Sequence, residues 1–315
     1  MKVAILDDYQ HFALAMADWS AVQARCEVTV FDRNLTPEEA PAVLAPFDII
    51  CIMRERMKFP GELLRALPNL KLICNTGQRN LSLDSATAAE LGIVISHTGK
   101  HPTGGNSTPE LAWAMLMSIF RHLPIEERNM RAGRWQTTIG RELHGKTLGL
   151  LGLGRIGRRM AEYARAFGMP TIAWSQNLTP TTATEGGATY VPKDELFSRS
   201  DAVSIHLVLS DRSRGLIGAP EFALMKPTAY LINTSRGPII DEAAMIEALR
   251  TNRIAGAALD VFDIEPLPPT HPLRELDNVM LTPHLGYVIE ESFRDFFHDT
   301  VENILAFLDG KPIRQ

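Results

Sequence analysis

The chain has 315 residues, 45% of them apolar and 22% charged, which is enough for about two domains with real cores. Its net charge of −5, with both signs mixed along the chain, offers no broad basic face, so neither nucleic acid nor an anionic membrane is an expected partner. The opening MKVAILDDYQ has too short an apolar run, Val3 to Leu6, for a secretory signal, and LAWAMLMSIF at 111–120 is about half of what spans a bilayer. Cys26, Cys51 and Cys74 lack CxxC spacing and are expected to be reduced and mostly buried, as in a cytoplasmic enzyme.

In chain order, KVAIL, EVTVF, DIICIM, KLICN and IVIS are short β-rich runs with helical patterns between them, the rhythm of a parallel α/β sheet. RERMK at 54–58 follows DIICIM and puts three cations at a strand's carboxyl end. Arg54, with Arg79 further on, is a candidate for a second anionic group such as a phosphate or distal carboxylate, whereas Arg56 and Lys58 read as solvated loop. His97 and His101 are four apart, but TGK between them and Pro102 after them argue against a helix, so no metal site is expected. The Gly/Thr/Pro-rich stretch 97–110 marks a domain boundary and ends in Ser107-Thr108-Pro109-Glu110, an N-cap candidate with Pro near the first helical position. The helix it opens, ELAWAMLMSIF, is apolar nearly all round and reads as a core helix or as one packing on a second subunit.

A second series follows: TLGLL, TIAWS, AVSIHL, AYLIN, GAALDVF and VML. Between TLGLL and the helical RRMAEYARAFG lies GLGRIG, so this GxGxxG has the strand, turn and helix context of a dinucleotide site. Gly152 permits the turn, Gly154 lets the backbone approach a pyrophosphate, and Gly157 allows close packing, with the helix N-terminus facing the phosphates. Arg236 in NTSRGPIID, Asp260 and Glu265 in ALDVFDIEP, and His284 in LTPHLG each follow a strand, where α/β folds bind ligands. Each alone has a plain explanation: a surface ion pair for Arg236, a solvated acid for Glu265, a satisfied core histidine for His284.

Taken in order with GLGRIG, the segments MKPTAYLINTSRGPIID, ALDVFDIEP and TPHLG make the chain resemble the D-isomer-specific 2-hydroxyacid dehydrogenases over nearly its whole length. These include glyoxylate and hydroxypyruvate reductases and phosphoglycerate dehydrogenase. The resemblance implies two doubly wound, Rossmann-like domains with a cleft between them: a substrate domain of residues 1–100 plus 288–315, and an NAD(P)-binding domain of 101–287. It further implies a homodimer through the helix at 108–121 with RNMRAGRWQ nearby, and cleft closure that excludes water.

By the same resemblance, Arg236 binds the substrate's carboxylate and 2-oxygen, His284 is the general acid/base and Glu265 its carboxylate partner. The chemistry is coherent on its own terms. Reducing a 2-oxo acid requires a proton on the developing alkoxide, and histidine can supply one near neutral pH. A carboxylate at about 4 Å is worth roughly 4 kcal/mol at an effective dielectric of about 20, before desolvation, and favours the protonated ring. Arginine's planar fork suits a carboxylate beside a carbonyl. The implied cofactor contacts are Arg155 and Ile156 through backbone N–H groups, Leu207 and Thr234 along the nucleotide path, Asp260 at the carboxamide, and Thr76 near the nicotinamide. Gly77 and Gln78 would meet the substrate carboxylate, although Gln78-Arg79-Asn80 departs from the commoner G-V-D, which weakens any inference about substrate.

Ser175 ends the strand TIAWS, 23 residues beyond Gly152, where NAD-specific folds of this kind carry an acid for the ribose. Ser175, Gln176 and Asn177 cannot repel a 2′-phosphate, yet no Arg or Lys follows until Lys193. The balance tips slightly to NADP. The leading reading is an NAD(P)-dependent reductase of short 2-oxo acids, of glyoxylate or hydroxypyruvate type. A phosphoglycerate-type dehydrogenase and a dinucleotide-sensing corepressor are the alternatives, and a formate dehydrogenase is disfavoured by Glu265, where those enzymes carry Gln.

Overall fold

The computed structural model describes residues 1–101 and 105–315. The Ser107–Pro109 cap lies within them, but part of the expected linker, 102–104, lies outside. The chain forms two compact units, Met1–Gly104 with Ile289–Gln315, and Gly105–Val288.

The first unit holds a five-stranded parallel sheet: β1 (Lys2–Ile5), β2 (Glu27–Val30), β3 (Ile49–Ile52), β4 (Leu72–Asn75) and β5 (Val94–His97), in the order β2-β1-β3-β4-β5. IICI and LICN carry no polar alternation because β3 and β4 are buried on both faces, while the edge strand β2 is part-exposed. Ile50, Phe59, Leu64 and Ile73 centre one core. The long helix Glu290–Leu308 brings Phe297, Val301 and Ile304 to the sheet from the end of the chain. Cys51 and Cys74 are register partners on β3 and β4, and all three cysteines are free and buried.

The second unit holds seven parallel strands: β6 (Leu148–Leu151), β7 (Thr171–Trp174), β8 (Thr189–Tyr190), β9 (Ala202–Ile205), β10 (Tyr230–Asn233), β11 (Gly256–Leu259) and β12 (Val279–Leu281). Their order is β12-β11-β10-β9-β6-β7-β8, so successive strands run outward to one side of β6 and then to the other. The gap between β6 and β9 is therefore the switch point at which such sheets bind ligands. Two residues long, β8 leaves no periodicity to read and was not expected from the sequence.

The helix Ser107–Phe120 begins earlier than the cap signal implied. Asn106 stands at its N-cap without a side-chain bond, and the Thr108 hydroxyl instead donates to the Gly286 carbonyl at 2.8 Å. Ala112, Met115, Leu116 and Phe120 are fully buried in the unit's core, which accounts for most of the helix's apolar character. Met117, Leu123, Met130, Trp135 and Ile139 remain exposed, Ile139 at 93%. Among the described residues no helix is long and apolar enough to cross a membrane.

Asp7, just past β1, is buried in the left-handed backbone region at φ 58°. Its Oδ1 accepts from Tyr9 Oη at 3.1 Å and Asn34 Nδ2 at 3.0 Å, while its Oδ2 is buried without a partner. Burial pushes this carboxyl above its ordinary value of 3.8, outweighing those two bonds and the Arg56 charge. A raised folded-state value means that ionisation works against folding. The penalty is present above the folded value and vanishes below the unfolded one. Asp7→Asn is therefore expected to raise Tm at pH 7.5, with the gain fading as pH falls toward 3.8. Calorimetric scans across that range check it, and a variant melting no higher than wild type at pH 7.5 would contradict it.

Candidate active site

The turn after β6 is shaped by two close approaches. Gly152 adopts φ 97°, and a Cβ there would meet the His206 carbonyl oxygen at 2.6 Å. Gly157 packs its Cα so tightly that a Cβ would lie 2.2 Å from the Gly152 carbonyl oxygen. At Gly154 the opposite holds, because a Cβ would enter open space. Gly154 is also the N-cap of the helix Arg155–Ala166 and supplies no side-chain cap, so the first-turn N–H groups of Arg155 and Ile156 have none from it. His206 borders the turn. Its ring contacts Ser204 Oγ at 2.9 Å, and although the residue as a whole is part-exposed, desolvation pushes it down to about 3, so it is neutral.

The loops after β10, β11 and β12 hold the remaining groups, and these three strands are neighbours. After β10, the Asn233 side chain organises the turn: its Nδ2 donates to the Arg236 carbonyl at 3.0 Å and its Oδ1 accepts from Ser235 N at 3.0 Å. The Ser235 hydroxyl donates to the Leu207 carbonyl, joining this loop to the one after β9. Half-buried Arg236 donates from Nη1 to the Ser235 carbonyl at 2.7 Å, and Thr234 Oγ1 is buried with no partner. Gly237 lies against the next loop, since a Cβ there would sit 2.1 Å from the Phe262 carbonyl carbon. Bulk at this position would part the Arg236 loop from the Glu265 loop.

In that next loop the two oxygens of Glu265 divide their work. One accepts from Phe262 N at 2.9 Å and the other meets His284 Nδ1 at 2.6 Å. His284 itself sits at φ 53°, with its N–H on the Asp260 carbonyl at 2.9 Å and its ring edge-on to Tyr287 at 5.6 Å. Asp260 is wholly buried. Its carboxylate accepts from Thr282 Oγ1 at 2.6 Å, Leu285 N at 2.7 Å and Gly286 N at 3.0 Å. Burial raises this carboxyl against those bonds and the His284 charge. Asp260, expected at the nicotinamide, thus anchors the turn that carries His284.

The expected first-unit residues follow β3 and β4. Thr76 Oγ1 accepts from Arg54 N at 2.8 Å, and Gly77 N donates to Thr98 Oγ1 at 2.7 Å, so both groups tie the loop after β4 to the loops after β3 and β5. Arg54, at φ 52°, lays its guanidinium across Gly77, where a Cβ would come within 2.0 Å of Nη1. Gln78 and Arg79 are exposed. Asn80 donates to the Arg54 carbonyl at 2.6 Å and to Asn75 Oδ1 at 3.0 Å. Arg56 is not a solvated cation: it donates to the Asp7 carbonyl and lies 4.8 Å from the centre of the Tyr9 ring. Among the described residues the carboxylates of Asp299 and Glu302 approach His298 closely enough to share an ion, but Arg314 already pairs with both.

The open side of Gly154, the uncapped helix end and the orphaned Thr234 hydroxyl together fit a dinucleotide. The sequence profile of the NAD-binding domain of the D-isomer-specific 2-hydroxyacid dehydrogenases matches residues 113–286. The chain belongs to that family. This dehydrogenase is 40% identical to a glyoxylate reductase of Aeropyrum pernix over 259 residues, covering 79% of this chain and 77% of the relative. It is 38% identical to a D-3-phosphoglycerate dehydrogenase of Synechocystis over 89% of its own length, but spans only 50% of that protein. The crystal structure of a phosphoglycerate oxidoreductase from Vibrio cholerae superposes with a TM-score of 0.90 at 35% identity, covering 98% of this chain and 99% of that one. The dehydrogenase thus binds NAD(P) and acts on the CH–OH group of a 2-hydroxy acid or the corresponding 2-oxo acid.

Asn233, Thr282 and Thr98 escaped the sequence reading. Neutral polar residues at strand ends read as ordinary loop, and only their bonds to Arg236, Asp260 and Gly77 give them away. Gly157→Ala tests the phosphate turn, because the added methyl meets backbone rather than a movable side chain. It is expected to cost roughly 1–3 kcal/mol of stability and to raise the Kd for NADH and NADPH. Calorimetry reads both, and an unchanged Tm with unchanged cofactor affinity would refute the reading.

Proposed function

We propose that the dehydrogenase reduces short 2-oxo acids of the glyoxylate or hydroxypyruvate class to D-2-hydroxy acids, with NADPH as the favoured reductant. The observation that carries this is the 2.6 Å pair of His284 Nδ1 and Glu265, on a loop beside that of Arg236. The nicotinamide supplies a hydride to C2 when bound. With Nδ1 tied to Glu265, His284 has Nε2 left to give a proton to the C2 oxygen. Glu265 cannot swing away easily, because its second oxygen is held by Phe262 N at 2.9 Å. Arg236 is assigned the substrate carboxylate and 2-oxygen as a planar, permanently charged donor.

The similarity to the Aeropyrum glyoxylate reductase supports the substrate class. A phosphoglycerate-type substrate is the second reading, favoured by the half-buried Arg54 guanidinium. NADPH is preferred because the turn after β7 presents Ser175, Gln176 and Asn177 and no carboxylate. The dehydrogenase is proposed to work as a homodimer, its contact built on the exposed Met117, Leu123, Met130, Trp135 and Ile139, which fall within 23 residues of one another in sequence.

Two measurements test these assignments. With a panel of 2-oxo acids, wild type is expected to show its highest kcat/KM on glyoxylate or hydroxypyruvate, higher with NADPH than NADH. His284→Ala should lose at least about 100-fold in kcat while still binding cofactor; near-normal turnover would end its assignment as the acid. A wild type that binds NADPH yet reduces nothing on the panel would instead favour the corepressor-like alternative. Light scattering should return twice the 34.9 kDa chain mass, and Trp135→Glu with Ile139→Glu should shift it toward one chain. A monomeric wild type would rule the dimer out.

A further inference from the structure

The proposed NADPH preference leaves a gap, because the turn after β7 contains no cation to hold a 2′-phosphate. We infer that Arg212, from the loop after β9, supplies it. This rests on the NADPH reading but makes a separate claim, about which residue meets the phosphate.

The two loops are brought together in space. Ser175 O accepts from Leu178 N at 3.1 Å, closing a turn with Gln176 and Asn177 at its corners. Gln176 Nε2 then reaches the Arg212 carbonyl at 3.5 Å, the long limit of hydrogen bonding. That proximity sets the Arg212 backbone beside the turn where the adenosine ribose is expected. β7 and β9 are the two neighbours of β6, so their loops flank the phosphate turn that leaves it.

The Arg212 backbone is held firmly. Ser213, itself buried, donates from Oγ to the Val208 carbonyl at 2.7 Å and accepts from Ser210 N at 2.8 Å, while Arg214 N closes on Ser210 O at 2.9 Å. Arg212 is exposed and enters no ion pair among the described residues. Arg214, the other cation of the loop, is also exposed, and its charge is felt by Asp263, whereas the Arg212 carbonyl is the one that the turn after β7 touches. The one acid adjoining Arg212 in sequence is Asp211, also exposed, and it competes only through solvent. Exposed, unpaired and anchored, Arg212 suits a doubly charged phosphate, which accepts guanidinium donors in pairs. Ser175 and the Gln176 amide add neutral donors beside it.

The test titrates intact protein with NADPH and NADH by calorimetry, in wild type, Arg212→Ala and Arg212→Glu. Losing charge-assisted bonds to the phosphate should raise the NADPH Kd roughly 10-fold or more relative to NADH in the alanine variant, and further in the glutamate variant. The difference should shrink at high salt. Equal weakening of both cofactors would mean that Arg212 touches the shared adenosine instead, and no change would mean no contact; either overturns the inference. A wild type that prefers NADH, with Arg212→Glu still lowering NADPH selectively, would defeat the NADPH reading alone and leave Arg212 in its role.

Discussion

A carboxylate with no exposure holds the loop that carries His284, the proposed acid. Asp260 lies at the end of β11, and through Thr282, Leu285 and Gly286 it draws the loop after β12 over its own strand end. His284 occupies a left-handed conformation that costs a non-glycine residue energy, and the surrounding bonds sustain it. A buried charge of this kind is costly to strand, so the loop and the carboxylate form together or not at all. Glu265 completes the arrangement from the same strand's loop, fixing the ring after the backbone has been fixed.

The same logic recurs at β10. Asn233 spends both ends of its amide on the Thr234–Arg236 turn, and Gly237 lets that turn settle onto the Phe262 backbone. Arg236 and Glu265 thus gain their positions from neutral groups one step removed from any substrate. Such supporting bonds keep a site within the narrow geometric tolerance that catalysis requires.

Much of this was legible in the sequence, for identifiable reasons. Strands buried on both faces leave uninterrupted apolar runs, so β3, β4, β6, β9, β10 and β11 stand out, whereas the two-residue β8 could not. GLGRIG was readable because Gly152 and Gly157 answer backbone constraints found in space, while Gly154 leaves open space before the helix. Arg236, Glu265 and His284 were readable only in combination. What stayed hidden depended on tertiary partners: Arg56 looked solvated until Tyr9 and the Asp7 carbonyl were beside it, and the hold of Asp260 on the turn that carries His284 shows only in its three donors. The helix Ser107–Phe120 kept its subunit reading open because nearly every side could be apolar, yet most of it is spent on the core.

The split of the first unit across the chain sets an order of assembly. Residues 105–288 are contiguous and can close their sheet as soon as they have been made. The five-stranded sheet cannot, because Phe297 and Ile304 arrive last, Asn303 donates to the His97 carbonyl at 3.0 Å, and the Arg314 carbonyl accepts from His97 N at 2.7 Å. During synthesis, the part of the chain made first therefore waits longest with apolar surface uncovered. A nascent chain that has just released residue 288 from the ribosome would hold a second unit able to finish and a first one that is not.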